Sequence, residues 1–431
     1  MIFRLLERFE QTGITPRVEN ASMTCVPTRS TSRFALSLFT LTCCLISGLL
    51  VQTTPAYAQT GNELIKEADL DFLKRKKFEY TKALSSSSLT QAEITLLTEY
   101  NRIQVLQMSL KSQIRELSKI REQLKRDLNL LAKPPARAFV LPLIIKYCEQ
   151  LLIDQPLPVR LNACLLITEL NEEPPNVPKQ IPATPFTGMA DPLIAIISDK
   201  NQSEALKIIA TNGLMRLCQD GNPKVDIRSR VADALIEQLK QPNLNEWYKR
   251  SLVEAVSHTS VLFDKTRTPY IVQTLAEILI NPMEPWTVRA EAASGLGRTE
   301  MNREINLTLV NYEIVNFAHE MGQQFNAKPN APHWRLCAFR VYTAYQPEIS
   351  KSTALLTRIK NAPFSTNRAE VQEAYDVVLP LANEILKQNP PPGAKAVPVK
   401  VITDLKTWLD ANTPENYILG PNTKPLRNPK P

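Results

Sequence analysis

The sequence predicts an all-α fold: an α-solenoid of stacked helix pairs, preceded by a long helical hairpin or coiled-coil segment. Three observations carry the prediction. A signature recurs about every 40 to 47 residues, in which an apolar or aromatic residue precedes a cation and apolar residues follow three and usually seven positions later. It reads Val159-Arg160 with Ala163 and Ile167, Leu206-Lys207 with Ala210 and Leu214, and Tyr248-Lys249 with Leu252 and Val256. It returns as Val288-Arg289 with Ala292 and Leu296, and as Trp334-Arg335 with Ala338 and Tyr342. A helical unit at that period cannot bury its apolar face alone, so neighbours must stack. Secondly, only 11 Gly stand against 33 Pro in 431 residues. Few tight β-turns or phosphate-cradling loops are expected from that balance, and much of the Pro lies between the periodic segments, where it ends helices. Thirdly, Leu96, Ile103, Leu110, Leu117, Leu124 and Leu131 stand seven residues apart, the spacing of a helical seam.

From the N-terminus, Arg29 and Arg33 precede an apolar run, Phe34 to Val51, and Ala56-Tyr57-Ala58 follows. Basic, apolar and small-residue regions in that order make residues 1–58 a secretory signal peptide, with cleavage between Ala58 and Gln59. An uncleaved membrane anchor is the rival reading, because the run is long. Residues 1–58 hold five cations and three acids, so the remaining chain carries about +6, against +8 for the whole. That excess is spread along the chain and is too small to argue for nucleic acid.

Residues 59–133 form the hairpin or coiled-coil region. Leu64, Ile65, Ala68, Phe72 and Leu73 make 63–84 amphipathic, and Ser85 to Ser88 break it. Thr90-Gln91-Ala92-Glu93 is a capping box at the start of the next helix. The Leu/Ile ladder predicts a helix from Leu96 to Leu131, of ~54 Å at 1.5 Å per residue. The helix 63–84 is too short to cover that seam, so the uncovered stripe is expected to seek a second chain or the first repeat. Self-association through 59–133 is one expectation, and independent folding of the rest is its companion.

Pro134-Pro135 ends this region, and the solenoid proper occupies 138–389 with a weaker pattern after 345. Helix Phe139–Leu152 precedes the helix centred on Arg160. Pro174 through Pro185 reads as an inserted loop on one edge, functional or a solvated spacer. Helix pairs follow at Leu193–Ile197 with Ala205–Gln219, Val231–Lys240 with Glu246–Ser257, Tyr270–Ile280 with Thr287–Arg298, and Val310–Phe325 with His333–Tyr345. Residues 367–388 are apolar and helical. The segment 390–431 is proline-rich with one short helix, Val399–Ala411, and its tail from Thr413 to Pro431 lacks the apolar residues to fold alone. Cys148, Cys164, Cys218 and Cys337 lie in apolar helical patterns and read as small hydrophobes. Cys148–Cys164 is the one pair worth testing as a disulfide.

Glu284-Pro285-Trp286-Thr287-Val288-Arg289-Ala290-Glu291-Ala292-Ala293-Ser294-Gly295-Leu296-Gly297 resembles a HEAT repeat, and Pro156-Leu157-Pro158-Val159-Arg160-Leu161-Asn162-Ala163 is similar. The resemblance covers about residues 138–345. It implies antiparallel helix pairs stacked into a superhelix, with a concave face that binds protein. The signature cations Arg160, Lys207, Lys249, Arg289 and Arg335 stand in the first helical turn, where the helix dipole disfavours them. They are therefore expected to be structural and to pair with acids of a neighbouring turn, with Asp154, Glu246 and Glu284 nearby in sequence.

No catalytic, cofactor or metal constellation is legible. His258, His319 and His333 make no zinc-hydrolase spacing, no Gly-x-Ser-x-Gly elbow occurs, and Gly295 and Gly297 lack the third Gly of a phosphate loop. Trp247, Trp286 and Trp334 precede signature cations and form a possible binding ladder, or else staple adjacent repeats. The functional expectation is an exported, non-enzymatic protein-interaction scaffold in the periplasm, envelope or medium. Its partners are proteins, and a membrane enters only if the signal segment is retained. The alternatives are a structural envelope protein held by an N-terminal anchor and a subunit of an enzyme complex.

Overall fold

The computed structural model describes residues 61–347, 353–360, 367–388 and 395–427. The signal segment, its Ala58–Gln59 junction and the Pro390–Gly393 break lie outside the described residues. The chain is all-α, with 69% of the described residues helical.

Helices α1 (Leu70–Leu84) and α2 (Gln91–Leu106) pack on each other, and the rings of Tyr80 and Tyr100 stack between them at 3.8 Å. Thr90 caps α2 as its sequence requires. Its hydroxyl accepts from the Glu93 backbone N–H at 3.3 Å, and Glu93 accepts from the Thr90 backbone N–H at 2.8 Å.

The expected 36-residue helix is instead two, α2 and α3 (Leu117–Leu130), separated by 3-10 turns at Gln107–Ser109 and Lys111–Glu116. No Pro or Gly stands at the break. The Ser109 hydroxyl donates to the Leu106 carbonyl at 2.7 Å and accepts from Leu64 N–H at 2.9 Å, and Leu110 turns extended. The ladder still supplies core, because Ile103, Leu110, Leu117 and Leu124 are all buried. It does so within the chain: α2 packs on α1 and α4 (Pro134–Leu151), and α3 packs on α5 (Leu157–Glu169). The stripe that motivated self-association is thus covered intramolecularly. Nor does 59–133 stand apart. Lys133 N–H donates to the Leu84 carbonyl at 2.9 Å, Gln155 Nε2 donates to the Asn62 carbonyl at 2.9 Å, and Gln59–Pro431 is one compact unit.

The succession continues with α6 (Ala190–Ser198), α7 (Glu204–Asp220), α8 (Val225–Leu239), α9 (Glu246–Ser257), α10 (Tyr270–Ile280), α11 (Trp286–Arg298), α12 (Leu307–Ala327) and α13 (Trp334–Tyr345). A four-residue turn, α14 (Leu355–Arg358), precedes α15 (Arg368–Lys387). Two packing rules run through this series. Consecutive helices pair as α4/α5, α6/α7, α8/α9, α10/α11 and α12/α13, and the second member of each pair packs on the next second member, from α5 to α15. The first members α6, α8, α10 and α12 do the same more loosely. Ser203, Asn245 and Asn306 cap α7, α9 and α12 with side-chain oxygens. Left-handed turn positions fall to Asp154, Asn222 and Asn243, and no described Gly has a positive φ, so the scarcity of Gly does not prevent tight connections. Ala292, at a signature contact position, has no exposed surface. Cys148, Cys164, Cys218 and Cys337 are buried free thiols, and burial pushes the last three up to about 12.

The proline-rich insertion is a small hairpin, in which β1 (Asn171–Glu173) pairs antiparallel with β2 (Thr184–Pro185) across a bulge. At the other end, α16 (Val399–Ala411) packs on α12 and α15. The residues after it, expected not to fold alone, dock on α10 and α12. Asn306 N–H donates to the Leu419 carbonyl at 2.7 Å, Gln273 Nε2 to the Lys424 carbonyl at 3.3 Å, and Asn422 Nδ2 to the Thr266 carbonyl at 2.8 Å. Leu419 is fully buried, and Arg427 pairs with the buried Glu313 at 2.5 Å. The tail is thus held by the body of the fold, through backbone hydrogen bonds and through Leu419, with Tyr417 and Leu426 packed against the core.

Candidate functional site

The signature cations act as struts between successive pairs. Lys249 meets Glu284 at 2.6 Å, one of the acids the sequence marked out. Arg289 is 3% exposed and does more. Its Nε donates to the Leu279 carbonyl at 2.8 Å, near the end of α10, and its Nη2 meets Glu320 of α12 at 2.6 Å. The guanidinium lies 4.9 Å from the Trp286 ring and 4.8 Å from Phe317. The remaining three depart from the expected acid pairing. Arg160 donates to the Gln202 side chain at 3.0 Å, and Arg335 donates to the Gln388 carbonyl at 3.3 Å. Lys207 is half-buried and has no ion pair among the described residues. Nearby Glu246 reaches the Thr287 hydroxyl of the following pair instead, and Asp154 serves as a left-handed turn.

The three Trp residues do not form a ladder. Trp286 and Trp334 meet edge to face at 5.3 Å, and Phe317 and Phe325 close around them. Trp334 is buried, with its Nε1 donating to the Lys328 carbonyl at 2.8 Å. These two staple α11, α12 and α13. Trp247 alone is open to solvent, at 69% exposure, with Arg250 over its ring at 5.2 Å.

The second helices leave one face accessible. It carries Leu161, Asn162, Leu165 and Glu169 on α5, and Ile209, Asn212, Met215 and Arg216 on α7. It continues with Trp247, Arg250, Ser251 and Glu254 on α9, His258 at its C-terminal cap, and Leu336, Phe339 and Arg340 on α13. Each set follows the i, i+3, i+4 spacing of a single helical face. Between α3, α5, α7 and β1 this face opens into an open-sided cleft of about 380 Å³. Leu165, Ile209 and Gly213 give it an apolar floor, and Lys125, Glu169, Asn171, Asn212 and Arg216 stand around it. Arg216 donates through Nη1 to the Thr168 carbonyl at 2.7 Å and through Nη2 to the Asn171 side chain. Both partners are neutral, and burial lowers the pKa of the guanidinium. Lys125 contacts Glu122 at 2.9 Å and Glu169 at 3.5 Å.

Farther along, α11 is sealed: every residue from Thr287 to Gly297 is buried. An ion cluster lies over it. Glu291 is fully buried and meets Arg340 Nε at 2.7 Å and Arg298 Nη2 at 3.2 Å. Arg340 also reaches Glu254 at 3.4 Å, and Arg298 donates to the Ser257 hydroxyl at 3.0 Å. Side chains of α9 and α13 therefore meet across α11. Burial raises the Glu291 carboxyl above its ordinary range, and Arg340 opposes that rise. His258 is pushed down to about 3 by burial and then by Arg298 and Arg340, so it is neutral at physiological pH. One hint of this cluster is legible in the sequence: Glu291 interrupts a stripe of Ala and Gly that otherwise reads as pure helix contact. Glu254 and Arg340 are 86 residues apart, and no local pattern links them.

Among the described residues no group of His, Cys, Asp and Glu is placed to hold a metal ion, and no helix is long and apolar enough to cross a membrane. No family model matches the chain, no curated protein matches it, and no solved structure matches it.

Proposed function

We propose that this protein is an exported, non-enzymatic protein-interaction scaffold, an α-solenoid of HEAT-like helix pairs that presents the face of its second helices to protein partners. The observation that carries the reading is that accessible face, built from equivalent positions of α5, α7, α9 and α13. Stacked pairs bury the apolar positions of each helix against its neighbours and leave a part-exposed stripe on α5, α7, α9 and α13, with α11 sealed beneath its neighbours. Partner contacts spread over several repeats then supply affinity that no single repeat holds. Photo-crosslinking in the producing cell tests this. A photo-reactive residue at Asn212 or Ser251 is expected to give a discrete protein adduct, and one at the exposed Glu237 of α8 none. Equal adducts at all three positions, or none at the first two, overturns the scaffold face. Export is tested separately. N-terminal sequencing of the protein from its own cell is expected to begin at Gln59, whereas retention of residues 34–51 makes it an anchored envelope protein instead.

A further inference from the structure

We propose that the cleft between α3, α5, α7 and β1 binds an extended acidic peptide segment, with a carboxylate side chain against Arg216 and Lys125 and an apolar side chain on Leu165 and Ile209. This rests on the scaffold reading and names the chemistry of one partner segment.

Arg216 is the first argument. Its guanidinium is partly withdrawn from water and, among the described residues, donates to a carbonyl and an amide, while Asp220 and Glu169 favour its charge without a hydrogen bond to it. A desolvated cation satisfied by neutral groups gains from an incoming carboxylate, and planar guanidinium groups suit that partner. Arg216 has five N–H donors in all, and the Thr168 and Asn171 bonds use only part of that capacity. Lys125 stands on the same rim with its charge shared between Glu122 and Glu169, so Arg216 supplies the main attraction and Lys125 a further N–H donor.

The Asn212 amide is the second argument. It is exposed at the cleft and has no side-chain hydrogen bond among the described residues, whereas the buried Asn171 amide is taken up by Asn129 and Arg216. An amide side chain offers a donor and an acceptor together, the complement of a peptide unit. The floor is the third. Leu165 and Ile209 are half-buried and face each other across neighbouring second helices, forming a shallow apolar seat that is open along one side. An open cleft of this size seats one or two side chains of a longer segment rather than enclosing a small molecule. Nucleic acid is disfavoured, because no aromatic side chain lines the cleft for base stacking.

Fluorescence anisotropy on the chain from Gln59 to Pro431 tests the proposal, with three labelled octapeptides as probes: alternating Leu-Asp, Leu-Asn and Leu-Lys. The Leu-Asp probe is expected to bind about tenfold more tightly than the Leu-Asn probe, with the preference shrinking as salt rises. Asn212→Glu places a like charge at an exposed position, so the fold is untouched. It is expected to weaken the Leu-Asp probe by about tenfold and to leave the melting temperature unchanged. Arg216→Gln is expected to abolish the preference for Asp over Asn. Equal binding of all three probes overturns the proposal, as does no binding of the Leu-Asp probe. Binding that neither substitution alters also overturns it, because the segment then sits elsewhere. In all of these cases the crosslinking result at Asn212 and Ser251 still decides the scaffold reading by itself.

Discussion

Gly297→Ala is expected to destabilise the protein by about 3 kcal/mol, although alanine is the better helix former at an interior position. A Cβ built at Gly297 comes within 2.2 Å of the Ala344 carbonyl oxygen, 2.7 Å of its Cα and 2.8 Å of its carbonyl carbon. All three atoms are backbone of α13, so no side chain can rotate away, and α11 and α13 must separate instead. Gly295, two residues earlier, is the control. Its Cβ meets only side-chain carbons, Ser257 Cβ at 3.3 Å and Leu275 at 3.4 and 3.5 Å. Gly295→Ala is expected to lie within about 1 kcal/mol of the parent, because the helix-propensity gain offsets a small readjustment. Denaturant unfolding of the two variants settles the matter. Equal midpoints would mean that α11 and α13 do not approach through Gly297.

That contact shows where the sequence was legible. Gly295 and Gly297 stand out in a Gly-poor chain, and their place in a helical pattern already argued for packing rather than phosphate binding. The helix pairs were legible for the same reason: Leu206, Ala210 and Leu214, or Val288, Ala292 and Leu296, repeat a local period that only a buried helical face requires. The break at Ser109 and Leu110 was not, because it depends on Leu64, 45 residues away, and on no residue that disfavours helix. The docking of residues 412–427 was hidden for a related reason. Asn306, Gln273 and Asn422 make it with backbone groups, and no hydropathy pattern records such bonds. Of the site, the sequence marked the signature cations, Trp286 and Trp334; Arg160, Lys249, Arg289, Arg335 and the two Trp residues bridge successive helices. The cleft residues Lys125, Asn171, Asn212 and Arg216 come from α3, α7 and the hairpin, and only the fold brings them to one place.

Arg340→Ala is expected to cost about 3–5 kcal/mol, the range for removing one partner of a buried ion pair. Glu291 has no exposed surface, so it cannot recover hydration when Arg340 leaves, and among the described residues Arg298 at 3.2 Å becomes its only cation within ion-pair distance. The Glu254–Arg340 link across α11 is lost in the same step. Glu291→Gln keeps the shape and removes the charge, and the two substitutions share one network. Their effects should therefore fall short of adding, with a coupling of about 1 kcal/mol or more in a double-mutant cycle. His258 supplies a readout that loss of packing alone would not move. Its folded pKa of about 3 lies below the ordinary 6.5, so its neutral form contributes stability that is complete above pH 6.5 and is lost as pH falls toward 3. Burial is the larger cause of that depression, followed by Arg298 and Arg340. Removing the Arg340 charge should thus raise the His258 pKa and move its stability loss to higher pH, as followed by NMR titration of the ring. An unchanged His258 titration in a folded Arg340→Ala protein would separate the histidine from the cluster and refute the shared network.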